Sequence, residues 1–239
     1  MTFQILTLPC LANNYAFLLH DNETGTTALV DAPEAAPVLA ALEAKGWTLD
    51  LVLLTHHHYD HVDGLPELLE HASPKIVGAA KDAHRLPKLD IALNEGDTVE
   101  VGNLKGHVID VSGHTINHIA FVFDGAAFTG DSLFALGCGR VFEGDMEMMH
   151  NSLQKLAALP PDTMIYCGHE YTLDNARFAV TIEPENESLQ ARAKDIERLR
   201  AANVPTVPSL LSLELATNPF LRAKDASDFA RIRSAKDNF

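Results

Sequence analysis

With 239 residues, 46% of them hydrophobic and 21% charged, the chain has the size and balance of one large globular domain, or of a domain of about 150 to 200 residues with an appendage, and neither disorder nor a fibrous repeat fits it. A formal charge of −15 argues against a nucleic-acid partner, whose phosphates need a basic footprint. No apolar run approaches the roughly 18 to 20 residues that span a bilayer, the start MTFQILTLPCLANNY lacks a basic region ahead of its apolar residues, and Cys10, Cys138 and Cys167 are too few and too odd in number for a disulfide framework, so the expectation is the reducing cytoplasm with no membrane partner. A monomer is expected, although nothing in the composition fixes the oligomeric state.

The N-terminal half reads as short strands with tight connections: FQILTLP, NYAFLLH and TTALVDA, followed by a helix over APVLAALEAKG that stops at Gly46. LDLVLLT is a buried strand, because its apolar run is continuous rather than alternating. A helix over LPELLEHA comes next, then strands at KIVGA, DTVEVG, LKGHVIDV, HIAFVFD and AAFTG. Helical spacing returns at MEMMHNSLQKLAAL, and TMIYCG closes the series as a strand.

Beyond about residue 172 no strand-like run is visible. Leu189, Ala193, Ile196 and Leu199 recur on one helix face, Pro205 and Pro208 interrupt the chain, and DASDFARIRS reads as a last short helix. The expected organisation is a strand-rich body over 1–172 and a helical piece over 173–239, too small to fold alone. Charge divides similarly: residues 191–239 hold 9 of the 18 Lys and Arg but only 6 of the 33 Asp and Glu. Such a tail suits a small anion, although charge runs are more often simply exposed.

Four segments share one pattern, an apolar strand followed closely by a group able to bind a metal. They are LVLLT before His56, HVIDVSG before His114, AAFTG before Asp131 and MIYCG before His169. Sites gather at strand ends because loops converge there on a rigid scaffold. In LVLLTHHHYDHVDG, alternation along an extended chain points His56 and His58 one way and His57 another. A turn into helix then redirects Asp60 and His61. His118 reads as core or as support rather than as a ligand, and His57 as a spacer.

His56, His58, Asp60, His61, His114, Asp131 and His169 are too many donors for one ion, which needs three or four. Two divalent ions fit if a carboxylate bridges them, and Asp131, the one acid among the single late donors, is the natural bridge. Two ions about 3.5 to 4 Å apart lower the pKa of a shared water toward roughly 7, which is the equipment of a hydrolase. Nitrogen and oxygen donors without thiolate suit zinc, iron or manganese alike, and zinc is the occupant expected first.

The run Thr55 to His61, T-H-x-H-x-D-H, with His114, Asp131 and His169, resembles the metallo-β-lactamase superfamily. That resemblance implies an α+β fold, an αββα sandwich of two packed sheets flanked by helices, but not a substrate. THHHYDH, GCGRVFEGD, CGHEYT, NPFLR and the ending RSAKDNF are together similar to the glyoxalase II (hydroxyacylglutathione hydrolase) family over the whole length. The implied reaction is hydrolysis of S-D-lactoylglutathione to glutathione and D-lactate, the second step of methylglyoxal detoxification, with a metal-bridging hydroxide attacking the thioester carbonyl.

The resemblance assigns one metal to His56, His58 and His114 and the other to Asp60, His61 and His169, with Asp131 shared. Asp131, Asp60 and His61 form its catalytic set, and glutathione contacts map onto Arg140, Phe142, Tyr171, Arg233 and Lys236. Phe142 stands where the family often has an aromatic hydroxyl and cannot donate that hydrogen bond. Arg140 replaces a common Lys, Tyr59 a frequent Trp, and Asp63 a usually small residue. Arg233 and Lys236, three apart on one helix face, are placed to clamp the glycine carboxylate of glutathione.

Two other readings separate by assay. A single-iron persulfide dioxygenase also takes a glutathione substrate but does not need seven donors, and a non-enzymatic metal or redox module would not need a substrate-matching tail.

Overall fold

The computed structural model describes residues 3–239, so the first two positions of the expected 1–172 body lie outside the described residues. Two compact units emerge: one runs to Asp110 and takes in Asn117–Asp124, and the other comprises Val111–Ile116 and Gly125–Phe239.

The first unit opens with a hairpin of β1 (Phe3–Cys10) and β2 (Asn14–Asp21), in register from Phe3 opposite Asp21 to Cys10 opposite Asn14. β3 (Thr27–Val30) pairs antiparallel with β2, and from there β4 (Leu51–Leu53), β5 (Lys75–Ala79) and β6 (Ile91–Leu93) add in parallel. Every residue of β2 and β3 is buried, and their middles, Tyr15–Leu19 and Ala28–Val30, are continuously apolar.

The first two parallel steps, β3 to β4 and β4 to β5, are made by α-helices. α1 (Ala35–Lys45) tolerates Pro37 because it falls in the first turn, where its missing N–H costs nothing. Gly46 ends α1 in the left-handed conformation at φ 67°, with the Trp47 N–H returning to Leu42 O. α2 (Tyr59–Val62) and α3 (Leu65–His71) follow β4. A further antiparallel ladder of β7 (Thr98–Val101), β8 (Leu104–Asp110) and β9 (Ile119–Phe123) completes the unit.

The second unit carries β10 (Ala126–Gly130), the short hairpin β11 (Leu133–Phe134) and β12 (Gly137–Cys138), α4 (Met146–Ala157) and β13 (Met164–Cys167), which pairs parallel with β10. α5 (Thr172–Ile182) and α6 (Glu187–Ala201) come next. Asn186 caps α6 by accepting from the Leu189 N–H, and the face anticipated from periodicity packs Leu189 and Ile196 against Leu136, Ala176 and Ala179. β14 (Ser209–Leu210), α7 (Leu211–Thr217) and α8 (Ala226–Asp237) end the chain.

β14 corrects the expectation that no strand follows residue 172. It pairs antiparallel with β13, Ile165 opposite Ser209, but two residues directly after Pro208 are too short to show a period.

In the β2–β3 turn the Asp21 carboxylate accepts the Asn103 N–H at 2.8 Å, the Glu23 N–H at 3.0 Å and the Thr24 hydroxyl at 2.7 Å. These bonds, the Asn103 one foremost, hold its pKa below the ordinary carboxylate value. A carboxylate with a lowered folded pKa adds stability above its unfolded pKa and loses it as pH falls through the folded value. Asp21→Asn should therefore be less stable than wild type in urea denaturation at pH 7, with the deficit narrowing as pH falls below about 4.

Candidate metal centre

In the first unit the expected donors stand where β4 ends. Thr55 lies two residues beyond that strand, and its N–H and hydroxyl both donate to the Asp31 carboxylate, each at 2.8 Å. With its proton on Asp31, the Thr55 oxygen accepts from His56 Nδ1 at 3.0 Å. His61 Nδ1 donates to Asp31 at 2.8 Å. Both imidazoles, wholly buried, thus carry their proton on Nδ1 and keep Nε2 as a lone-pair donor, the tautomer a metal ligand requires.

The chain turns into α2 at Tyr59, as the redirection of Asp60 and His61 demands. The His58 ring lies 4.7 Å and the His61 ring 4.2 Å from that of His56. Asn14 donates to both the backbone and the side-chain oxygen of Asp60, at 3.0 and 3.1 Å, leaving Asp60 Oδ2 4.0 Å from His61 Nε2. Gly64 is required by close approach: a Cβ there would lie 2.8 Å from Ala32 O, the group that receives the Gly64 N–H.

His57 is more than a spacer. Its Nδ1 meets the buried Asp82 at 3.1 Å, and Arg85 holds the other oxygen of that carboxylate. His118 stacks on His56 at 4.5 Å and 17°, a support rather than a ligand position.

In the second unit, Asp131 follows β10 through Gly130, and a single oxygen, Oδ2, lies 3.2 Å from His169 Nε2 and 3.5 Å from His114 Nε2. His114 Nδ1 donates to Arg140 O at 2.8 Å, which leaves Nε2 with a lone pair facing a carboxylate. Two acceptors turned toward one point repel unless a cation lies between them, so this donor set fits a metal ion.

Beside it, the Tyr171 ring stacks on His169 at 4.6 Å and 3°, and Phe134 stands edge-on to both. Phe142 is largely exposed, its ring 5.2 Å from His114. Burial pushes the Cys138 and Cys167 thiols up to about 11 and about 12, so neither is a nucleophilic thiolate at neutral pH.

The anion-binding candidates differ in availability. Arg140 is exposed, with Nε 3.8 Å from Asp237. Arg233 is only 3% exposed: it donates to Cys138 O at 2.9 Å, meets Asp237 at 3.0 Å and lies over the Phe220 ring. Lys236 is half-buried and donates to Asp174 O at 3.1 Å.

Sequence reading missed Asp31, Asn14 and Asp82. Asp31 was findable, since TALVD repeats the pattern of a strand and then a donor. Asn14 and Asp82 carried no such signal.

The model of the metallo-β-lactamase superfamily matches residues 13–169, and that of the hydroxyacylglutathione hydrolase C-terminus matches 170–239. A hydroxyacylglutathione hydrolase of Jannaschia sp. is 58% identical over 252 residues, covering 99% of this chain and 98% of its own. One from Ruegeria pomeroyi is 54% identical over 255 residues, with both chains fully covered. Among solved structures, ETHE1 from Myxococcus xanthus superposes with a TM-score of 0.74 at 26% identity, over 98% of this chain and 90% of that one. TTHA1623, solved in a di-iron-bound form, gives 0.64 at 25% identity, over 91% and 99%. The fold is the metallo-β-lactamase fold of two mixed sheets, with the helical C-terminal region anticipated from the sequence. The chain belongs to the hydroxyacylglutathione hydrolase family of the metallo-β-lactamase superfamily.

Proposed function

We propose that His56, His58 and His114 hold one divalent ion, that Asp60, His61 and His169 hold a second, and that Asp131 bridges the two. The reaction is hydrolysis of a hydroxyacylglutathione thioester, an activity that follows from membership of the family over the full length. The observation that best supports the bridge is Asp131 Oδ2 standing within 3.5 Å of two imidazole nitrogens. Zinc is the first candidate, with iron or manganese as alternatives for the same donors. When bound, the ions supply Lewis-acid polarisation of the thioester carbonyl and a water of lowered pKa.

The chain's own residues do the rest. Asp31, through Thr55 and directly, and the Arg140 carbonyl fix the imidazole tautomers. Lys236 and Arg140 take carboxylates of glutathione, Arg233 braces that surface, and Tyr171 and Phe142 line it. A thiol leaves with a pKa near 8.5, so no residue need be kept protonated as a general acid. The preferred substrate is S-D-lactoylglutathione, released as glutathione and D-lactate. Residues 1–172 form the catalytic body and 173–239 the glutathione-binding region of a cytoplasmic monomer. No described helix is long and apolar enough to cross a membrane.

Replacement of Asp131 by Ala should lower kcat by at least about a hundredfold, with fewer than two metals per chain by elemental analysis; near-normal turnover with two metals bound would remove the bridge. Asp31→Ala should weaken metal binding about 10- to 100-fold in chelator competition while the fold persists. Lys236→Ala should raise KM for glutathione thioesters roughly three- to tenfold with little change in kcat, and an unchanged KM would take Lys236 out of the site. A preparation with one iron that consumes oxygen and hydrolyses no thioester would overturn the reading as a whole.

A further inference from the structure

The β11–β12 hairpin begins two residues after Asp131 and ends two residues before Arg140. Five successive residues of its buried backbone are met by side chains from beyond residue 172. Asn218 Nδ2 donates to Phe134 O and Gly137 O, both at 3.1 Å. Asn175 Nδ2 donates to Ala135 O at 3.1 Å, Glu214 Oε2 accepts the Leu136 N–H at 2.8 Å, and Arg233 donates to Cys138 O at 2.9 Å. Leu136 sits at φ 56°, a conformation leucine seldom takes unless its surroundings impose it.

The gripping side chains are themselves braced. Glu214, wholly buried, receives the Arg192 guanidinium and the Ser209 hydroxyl on Oε1 and Asn218 Nδ2 on Oε2. Asn218 Oδ1 accepts the Phe220 N–H at 3.0 Å, so every polar atom of this side chain is engaged.

The hairpin in turn passes its position to the metal centre. The Gly139 N–H donates to Ser132 O at 3.0 Å, and a Cβ on Gly139 would fall 2.0 Å from Asp131 O, so the two arms run in close contact. Arg140 O receives His114 Nδ1, and the Phe134 ring abuts His169. Asn218, Glu214 and Asn175 are all buried and reach the hairpin backbone, which fits orientation better than contact with substrate.

We infer that Asn218 and Glu214, with Asn175 beside them, are positioning residues for the hydrolysis: they hold the hairpin, and through it Asp131, Arg140 and the His114 ring. The inference rests on the roles proposed for Asp131 and His114. It is tested on the full metal-loaded chain with Asn218→Ala and the milder Asn175→Ala, which removes a single hairpin bond. Leu68→Ala, a buried truncation in α3 of the other unit, serves as a control for general destabilisation.

Amide hydrogen exchange over 132–140, thermal midpoint, metal content and steady-state kinetics are read together. Asn218→Ala should accelerate exchange in 132–140 and lower kcat about ten- to a hundredfold, the scale of a roughly 1 Å misplacement, with kcat falling more than KM rises. Asn175→Ala should move the same readouts in the same direction by less, and it carries the test should Asn218→Ala fail to fold. Accelerated hairpin exchange with kcat within twofold of wild type would overturn the inference. So would a kcat loss matched by Leu68→Ala at equal loss of thermal midpoint. A wild-type chain without thioester hydrolysis would instead sink the functional reading, and the exchange arm would still show whether these side chains hold the hairpin.

Discussion

A buried carboxylate has to be satisfied, and Asp31 is the one on which the first unit turns. It sits at the end of β3 at φ 55°, in the left-handed region that Asp tolerates better than most residues, and its two oxygens take three donors. Each makes a hydrogen bond to a buried charge, worth about 1.5 to 3 kcal/mol. The parallel pairing of β3 with β4 brings Thr55 beside it, and the backbone of Ala32, bonded to His61 and Gly64, draws in the end of α2. The β3–β4 pairing and the short helix thus both bring donors to this one carboxylate, which sets the protonation of two imidazoles.

The second unit solves the same problem with backbone instead of carboxylate. A carbonyl, Arg140 O, sets the His114 tautomer, and a carbonyl is only as well placed as the chain that carries it. That gives the region after residue 172 a structural task besides any contact with substrate. Its helices supply the side chains that satisfy the hairpin leading to Arg140, and the ion pair of Arg192 with Glu214 is retained in the interior to brace them. The deep burial of Cys138 and Cys167 belongs to the same packing, and it keeps their thiols protonated and out of competition for a metal.

What was legible in the sequence follows from this difference. Of the seven candidate donors, His56, His114, Asp131 and His169 stood out because each follows an apolar strand, and His58, Asp60 and His61 through the spacing of the run that begins at His56. The supports were mostly invisible because they are set by tertiary neighbours. Asn14 reaches Asp60 from 46 positions earlier in the chain, and His57 finds Asp82 25 positions later. The two-residue strands β11, β12 and β14 are too short for any period, and α7 hides between Pro208 and Pro219. Long periodic elements such as α6 were plain, since a full apolar stripe survives without knowledge of its partner.

The basic tail shows how far charge counting can go. Arg233 and Lys236 are three apart on α8, yet the fold treats them differently. Arg233 is committed to a carbonyl, a carboxylate and an aromatic face, which makes it part of the interior. Lys236 lies beside the rings of Phe178 and Phe239, and its pKa is lowered first by burial and then by the charge of Arg233. An anion beside such an ammonium favours its charged form by direct attraction, which offsets the repulsion from Arg233. Of the two cations, Lys236 is thus the one placed to answer the anion proposed for this surface, while Arg233 is already spent on the interior.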